Sequence, residues 1–350
     1  MEKMRFAVIT KEKNAEIHER TIPELKDDEV LIKIEACNIC TTDYEFWSGR
    51  RKNQPTPMAG GHENSGIIVK KGKAVSDYFS IGDRVGIMLT ESCGVCPDCR
   101  KGNDYACRYK GETFKESDDG YFGFFGFSTY KTAKSEFLFK FTSDIPADEA
   151  GFIEPLSTAI RSIKIGDIKP EENVVIIGGG TMGLLNAQVA RAYGARVIIS
   201  ELFESKVEVA KELGFTEFLN PKSETFKEDL KEILKDGRVN AIIICVGSGA
   251  ANEQALSIAE LDTRLLYFAA EYPPSEIKID TNTLHYKRYK LIGVVGSDRS
   301  DFQEAAEMLD NGHVKVDKLI EKRFKLDEIQ DAFKLASTPG TFRVSVHTWE

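Results

Sequence analysis

The sequence predicts an α/β protein in which a doubly wound parallel sheet is joined to a β-rich, barrel-like domain. Three observations carry this expectation. Short alternating strands punctuated by Gly and Pro fill the first half, apolar strands alternate with helices from about residue 156 to 295, and one more alternating strand closes the chain. At 350 residues the chain is too long for one ordinary core and suits two domains. The expected boundaries are 1–155 with 296–350 for the β-rich domain and 156–295 for the doubly wound one. The terminal strand, 342–346, makes the first of these discontinuous.

The elements follow in order. Residues 29–37 alternate well enough for a half-buried strand, and 64–71 and 83–89 read the same way. From 173 to 177, Asn-Val-Val-Ile-Ile is a buried-strand run, followed by a glycine turn and a helix over 182–193. A strand at 196–200, a helix at 205–213 and strands at 241–246 and 265–269 continue the alternation. Strand–helix alternation at this spacing specifies a parallel sheet.

Composition excludes some functions. Lys plus Arg total 47 against 56 Asp plus Glu, a net charge of −9, so the surface repels phosphate backbones and anionic lipid. Apolar runs such as 241–246 are far shorter than a membrane span, and no apolar signal core opens the chain. The expectation is a cytoplasmic protein acting on a small molecule, without nucleic acid or membrane. Four of the seven cysteines lie between 93 and 107, which in reducing surroundings points to a metal and not to disulfides.

Gly178-Gly179-Gly180-Thr181-Met182-Gly183 fits G-x-G-x-x-G between a strand and a helix, and Glu201 ends the next strand. Gly178 permits the tight turn, Gly180 lets backbone approach a pyrophosphate at the helix N-terminus, and Gly183 lets helix pack on strand. Glu201 suits the adenosine ribose hydroxyls and would repel a 2′-phosphate, which favours NAD over NADP. Lys206 either covers the adenine or is a solvated helix residue. Cys93, Cys96, Cys99 and Cys107 form C-x2-C-x2-C-x7-C. Four thiolates close a tetrahedral shell around a structural zinc. Close C-x2-C runs also serve iron–sulfur clusters, but nothing else in the sequence suggests electron transfer.

Cys40 in Cys40-Thr41-Thr42-Asp43, His62 in Gly60-Gly61-His62-Glu63 and Glu154 in Glu154-Pro155-Leu156 are weak signals singly. With the four-cysteine lobe and the glycine turn they stand in an order that resembles the zinc-containing medium-chain alcohol dehydrogenases over essentially the whole chain. The pattern is most similar to the sorbitol and threonine (polyol-type) dehydrogenases.

That resemblance implies a GroES-like catalytic domain beside a Rossmann domain, with two zinc ions per chain and NAD. It implies that Cys40 and His62 hold a catalytic zinc, with Glu154 where simple alcohol dehydrogenases have a second cysteine. Glu63 stands where the family has a carboxylate able to approach or ligate the metal. Asp43 is expected to accept the other ring N–H of His62, and Thr42 to relay the proton. Many relatives have a histidine three residues after the relay hydroxyl; here Glu45 stands there. Val246, Gly247 and Val295 are assigned with the glycine turn to the cofactor loops. Trp47, Phe114, Phe122 and Arg299 are candidates for the substrate pocket, each with a structural alternative in the core or on the surface. Cys37 and Cys245 are expected to be small buried packing residues.

The implied reaction is oxidation of a secondary alcohol (a polyol, sugar or amino-acid-like molecule) to a ketone, with hydride passing to NAD. The alternatives are an NADP-dependent ketone reductase on the same fold and a non-catalytic NAD-binding protein. The resemblance also implies a homo-oligomer, a tetramer or a dimer.

Overall fold

Val174 to Ile177 are all buried, a pattern suited to a strand covered on both faces. They belong to Asn173–Ile177, third in a six-stranded sheet. Its order is Phe218–Leu219, Arg196–Ser200, Asn173–Ile177, Ala241–Ile244, Arg264–Tyr267, Lys290–Gly293, parallel throughout. In sequence order this is 3-2-1-4-5-6, the Rossmann arrangement. The direction of winding reverses between Asn173–Ile177 and Ala241–Ile244, and ligands bind such sheets at the carboxyl ends of the strands there. The glycine turn leaves the sheet at that point, ahead of the helix Thr181–Ala192.

The computed structural model describes residues 2–52, 54–111 and 115–349; Phe114 lies outside them. The chain divides into two compact units, Met1–Ser157 with Ser297–Glu350, and Thr158–Gly296. The divisions fall at 157/158 and 296/297, against 155/156 and 295/296 expected. In the second unit Val175, Ile177, Ile198, Ile242 and Leu265 pack with Leu230 and Ala255 as one core. The strand expected over 241–246 stops at Ile244. A side chain on Gly247 would meet the Ala270 carbonyl oxygen at 2.4 Å, so the chain there runs close against other backbone.

The first unit holds two sheets. The larger runs Ile320–Lys325, Arg343–His347, Glu29–Asn38, Glu63–Lys71, Arg84–Ile87, Leu138–Lys140, with Tyr130–Lys134 also paired to Glu29–Asn38. The smaller runs Asn14–Thr21, Lys3–Lys11, Met58–Ala59, Phe122–Gly123. The terminal strand does return to this unit, pairing antiparallel with Glu29–Asn38 through Ser345 opposite Asn38. Val30, Ile32, Ile34, Ile68 and Val85 form one of its cores. Among the described residues no helix is long and apolar enough to cross a membrane.

Candidate functional site

Strand pairing sets the geometry. Asn38 lies opposite Glu63, so the residues just beyond the end of one strand meet those just before the start of the other. Cys40 follows as the N-cap of the helix Thr41–Trp47, and its amide donates to Asp43 Oδ2 at 3.1 Å. Asp43 Oδ1 accepts the Gly61 amide at 3.0 Å, which ties the cysteine turn to the histidine turn. Gly61 has φ +86°, and a side chain there would strike the Phe127 amide nitrogen at 2.7 Å. Glycine at position 61, just before His62, is therefore a steric requirement.

Cys40 Sγ, a His62 ring nitrogen and a Glu63 oxygen lie within 4.8 Å of one another. His62 Nδ1 is buried without a hydrogen-bond partner. It stands 3.7 Å from Asp43 Oδ2, too far for the hydrogen bond expected from the sequence. Asp43 spends its oxygens on backbone amides and acts on the imidazole through charge. Burial pulls the His62 pKa down, but Asp43 and Cys40 outweigh it and hold it well above the ordinary value. Burial and Glu63 push the Cys40 thiol up. A thiol, an imidazole and carboxylates crowded at one point, with an orphaned ring nitrogen, form the donor set that zinc takes.

The carboxylates divide. Glu63 is fully buried, and Arg343 holds both its oxygens, Nε to Oε2 at 2.8 Å and Nη2 to Oε1 at 2.7 Å. Arg343 Nη2 is also 3.9 Å from Cys40 Sγ. Glu154, in the first turn of the helix Ile153–Ile165, lies outside the 4.8 Å group. Burial raises its carboxyl to about 7, with His62 and Arg343 opposing and Glu63 and Asp43 adding to the rise.

The four-cysteine loop has its own geometry. Its sulfurs lie 3.4 Å (Cys96–Cys99), 3.9 Å (Cys96–Cys107) and 4.0 Å (Cys93–Cys99) apart. A zinc with Zn–S near 2.3 Å in a tetrahedron requires an S···S edge of about 3.8 Å. All seven cysteines are free. Backbone amides of Val95 and Cys96 lower the Cys93 pKa to about 7, favouring a thiolate.

In the second unit Gly178 has φ +100°, and a side chain there would meet Val246 Cγ2 at 2.3 Å. A side chain on Gly183 would sit 1.8 Å from the Gly178 carbonyl oxygen, so Gly183 lets the helix start against the strand end. Gly180 caps that helix in extended conformation, and Thr181 and Met182 form its first turn. Glu201 is buried; Oε1 accepts the Leu202 and Phe203 amides at 2.6 and 2.8 Å, and Oε2 the Gly179 amide at 2.5 Å. A carboxylate offers about four acceptor positions, so one on Oε2 remains for a ribose hydroxyl, not two. Lys206 Nζ lies beside Gly180, 3.6 Å from where a side chain would begin. Val246 and Val295 are exposed.

Comparison with known proteins gives the family. The family model for the alcohol dehydrogenase GroES-like domain matches residues 26–144, and that for zinc-binding dehydrogenases matches 181–311. L-threonine 3-dehydrogenase of Pyrococcus furiosus is 31% identical over 98% of this chain and 98% of its own. The chain belongs to the zinc-containing medium-chain alcohol dehydrogenases. Sorbitol dehydrogenase of Bacillus subtilis is 29% identical over 95% of this chain and 93% of its own. A zinc-binding dehydrogenase of Sinorhizobium meliloti, solved with NADP, superposes with TM-score 0.87 at 26% identity, covering 99% of this chain and 100% of that one. This dehydrogenase is thus an oxidoreductase.

The structure decides between the two readings open for Trp47, Phe122 and Arg299, and corrects the one for Cys245. Trp47 is 5% exposed, stacks on Phe333 at 6.0 Å and donates to Gln330, so it is core. Phe122 packs against the same core. Arg299 binds the four-cysteine lobe: Nη2 donates to Ser92 Oγ at 2.9 Å, and the guanidinium lies near Asp104, Glu136 and the Phe137 ring. Cys37 is buried as expected, whereas Cys245 is only half-buried. Three residues escaped sequence reasoning. Phe124 sets its ring against His62 at 5.9 Å. Arg51 Nη1 donates to Thr42 Oγ1 at 3.3 Å. Arg343 carried the one available signal, a charge opening the terminal strand Arg343–His347.

Proposed function

We propose that this dehydrogenase oxidises a secondary alcohol to a ketone with NAD, using one catalytic and one structural zinc. The observation that carries the reading is the convergence of Cys40, His62 and Glu63 within 4.8 Å, beside a Glu154 carboxyl that burial raises. Cys40, His62 and Glu154 hold the catalytic ion, and Cys93, Cys96, Cys99 and Cys107 the structural one. Glu63 is closer than Glu154, but Arg343 already balances its charge. Burial holds the Glu154 carboxyl high despite His62 and Arg343, and a divalent ion beside it would favour its charged form. When bound, zinc supplies Lewis acidity toward the alcohol oxygen, and the nicotinamide accepts the hydride.

The protein's own groups move the proton. Thr42 Oγ1 accepts from Arg51, which leaves its hydroxyl hydrogen free to turn elsewhere. Glu45, one turn further on, is half-buried; burial raises its carboxyl, against the pull of Arg51 and Arg50. A carboxylate so raised is a better proton acceptor than a solvated one. In the second unit Gly178, Gly180, Thr181, Met182 and Gly183 bind the pyrophosphate. The remaining acceptor position of Glu201 and its negative charge favour NAD. Lys206, Val246, Gly247 and Val295 complete that surface.

Zinc content and turnover of Glu154→Gln and Glu63→Gln test the ligand set. Glu154→Gln is expected to lose one zinc and at least about tenfold in kcat/KM, roughly 1.4 kcal/mol, with little change in melting temperature. Glu63→Gln is expected to keep both ions. The reverse pattern transfers the ligand role to Glu63.

A further inference from the structure

His62 and Phe124 share the wall of a cavity of about 450 Å³ in the first unit with Asn64 and Lys131. That volume suits a small-molecule substrate. The cavity's charge is lopsided among the described residues: Arg20, Lys110, Lys115, Lys131 and Lys134 line it, with Glu91 as the one acidic side chain. Three of these cations are already occupied. Arg20 pairs with Asp119 at 3.1 Å, Lys134 with Glu91 at 3.6 Å, and Lys110 donates to the Tyr105 carbonyl at 2.8 Å. Among the described residues neither Lys131 nor Lys115 has a carboxylate partner. Lys115 is exposed, whereas Lys131 is half-buried on Tyr130–Lys134, the strand paired to Glu29–Asn38.

We propose that Lys131 binds an anionic group, a carboxylate or a phosphate monoester, carried by the alcohol substrate. The proposal rests on reading the His62 wall as the place where the alcohol is oxidised. A partly desolvated ammonium with no carboxylate at ion-pair distance, only the more distant charge of Glu91, is costly, and an anion entering the cavity recovers part of that cost. Burial already depresses the Lys131 pKa to about 8, the mark of an ammonium short of negative charge. Asn64 adds independent support. It is 1% exposed, and its Oδ1 is buried with no donor among the described residues, so a polar group short of a partner lies behind the same wall. A neutral aliphatic alcohol would bring Lys131 no negative charge.

The test is calorimetric titration of the zinc-loaded protein, with NADH present to fill the other anion-binding surface. Inorganic phosphate and acetate are the probes, and Lys131→Gln and Lys131→Arg the variants. Lys131→Gln is expected to weaken at least one probe by about tenfold or more, with Lys131→Arg retaining it; which probe responds identifies the anion. Equal binding by the unaltered protein and Lys131→Gln overturns the proposal. In turnover, the kcat/KM ratio of 3-hydroxybutyrate to 2-butanol, or of a polyol phosphate to its polyol, is expected to fall in Lys131→Gln through KM. Turnover of neither alcohol would count against the oxidoreductase chemistry of this wall, while the titration still decides the anion site.

Discussion

Arg343 and Glu63, 280 residues apart, form a two-pronged buried ion pair beside Cys40. Strand register explains the meeting. Ser345 lies opposite Asn38 and the Ile39 amide donates to the Val344 carbonyl, so the next residue back, Arg343, is carried level with Cys40. Glu63 is opposite Asn38 on the other side. The guanidinium thereby neutralises the carboxylate nearest the thiol and the imidazole.

Removing that cation strands a buried anion. Arg343→Met is expected to destabilise the first unit by about 3–5 kcal/mol. In Arg343→Met with Glu63→Gln much of the loss is expected to return. Denaturant melts of the double-mutant cycle decide the point, and additive losses would mean the two side chains are not coupled.

Arg299 is expected to act on the structural lobe and not on substrate. Arg299→Gln removes its bonds to Ser92 and its ion pairs with Asp104 and Glu136. The guanidinium is partly exposed, so the loss of global stability is about 1 kcal/mol or less. Release of one zinc to a chelator is expected to quicken while KM for the alcohol stays put. A raised KM with unchanged zinc release would return Arg299 to the substrate.

Glu201→Gln keeps the shape of the side chain and removes its charge. The kcat/KM ratio of NADP to NAD is expected to rise at least about tenfold, roughly 1.4 kcal/mol, because a 2′-phosphate no longer meets a like charge. Some stability is lost as well, since three backbone amides donate to this carboxylate. Equal use of the two cofactors by the unaltered enzyme would refute the charge argument.

Asp148 predicts part of the acid limit of stability. Burial acts to raise its pKa, but His347 and Arg323 prevail and hold it below the ordinary 3.8. A depressed acid stabilises the fold fully above its unfolded pKa and loses that contribution as pH falls through the folded one. The melting temperature should therefore drop below about pH 4, and Asp148→Asn should be less stable near neutrality with a shallower acid decline. Parallel acid profiles for the two proteins would exclude this role.

What the sequence by itself determined is chemistry carried by contiguous residues. The glycine turn, the buried strand before it and the four-cysteine spacing were legible because backbone conformation and loop closure act over a few positions. The strands Asn173–Ile177 and Arg196–Ser200 stand where periodicity placed them. Cys40 and His62 were suspected through family resemblance, since nothing local says that two turns 22 residues apart meet. The tertiary structure alone decided that Arg343 closes on Glu63, that Asp43 spends its oxygens on Cys40 and Gly61, that Trp47 stacks on Phe333 and that Arg299 braces the cysteine lobe. Each depends on which strand pairs with which and in what register, and a shift of one residue would turn every such side chain to the other face.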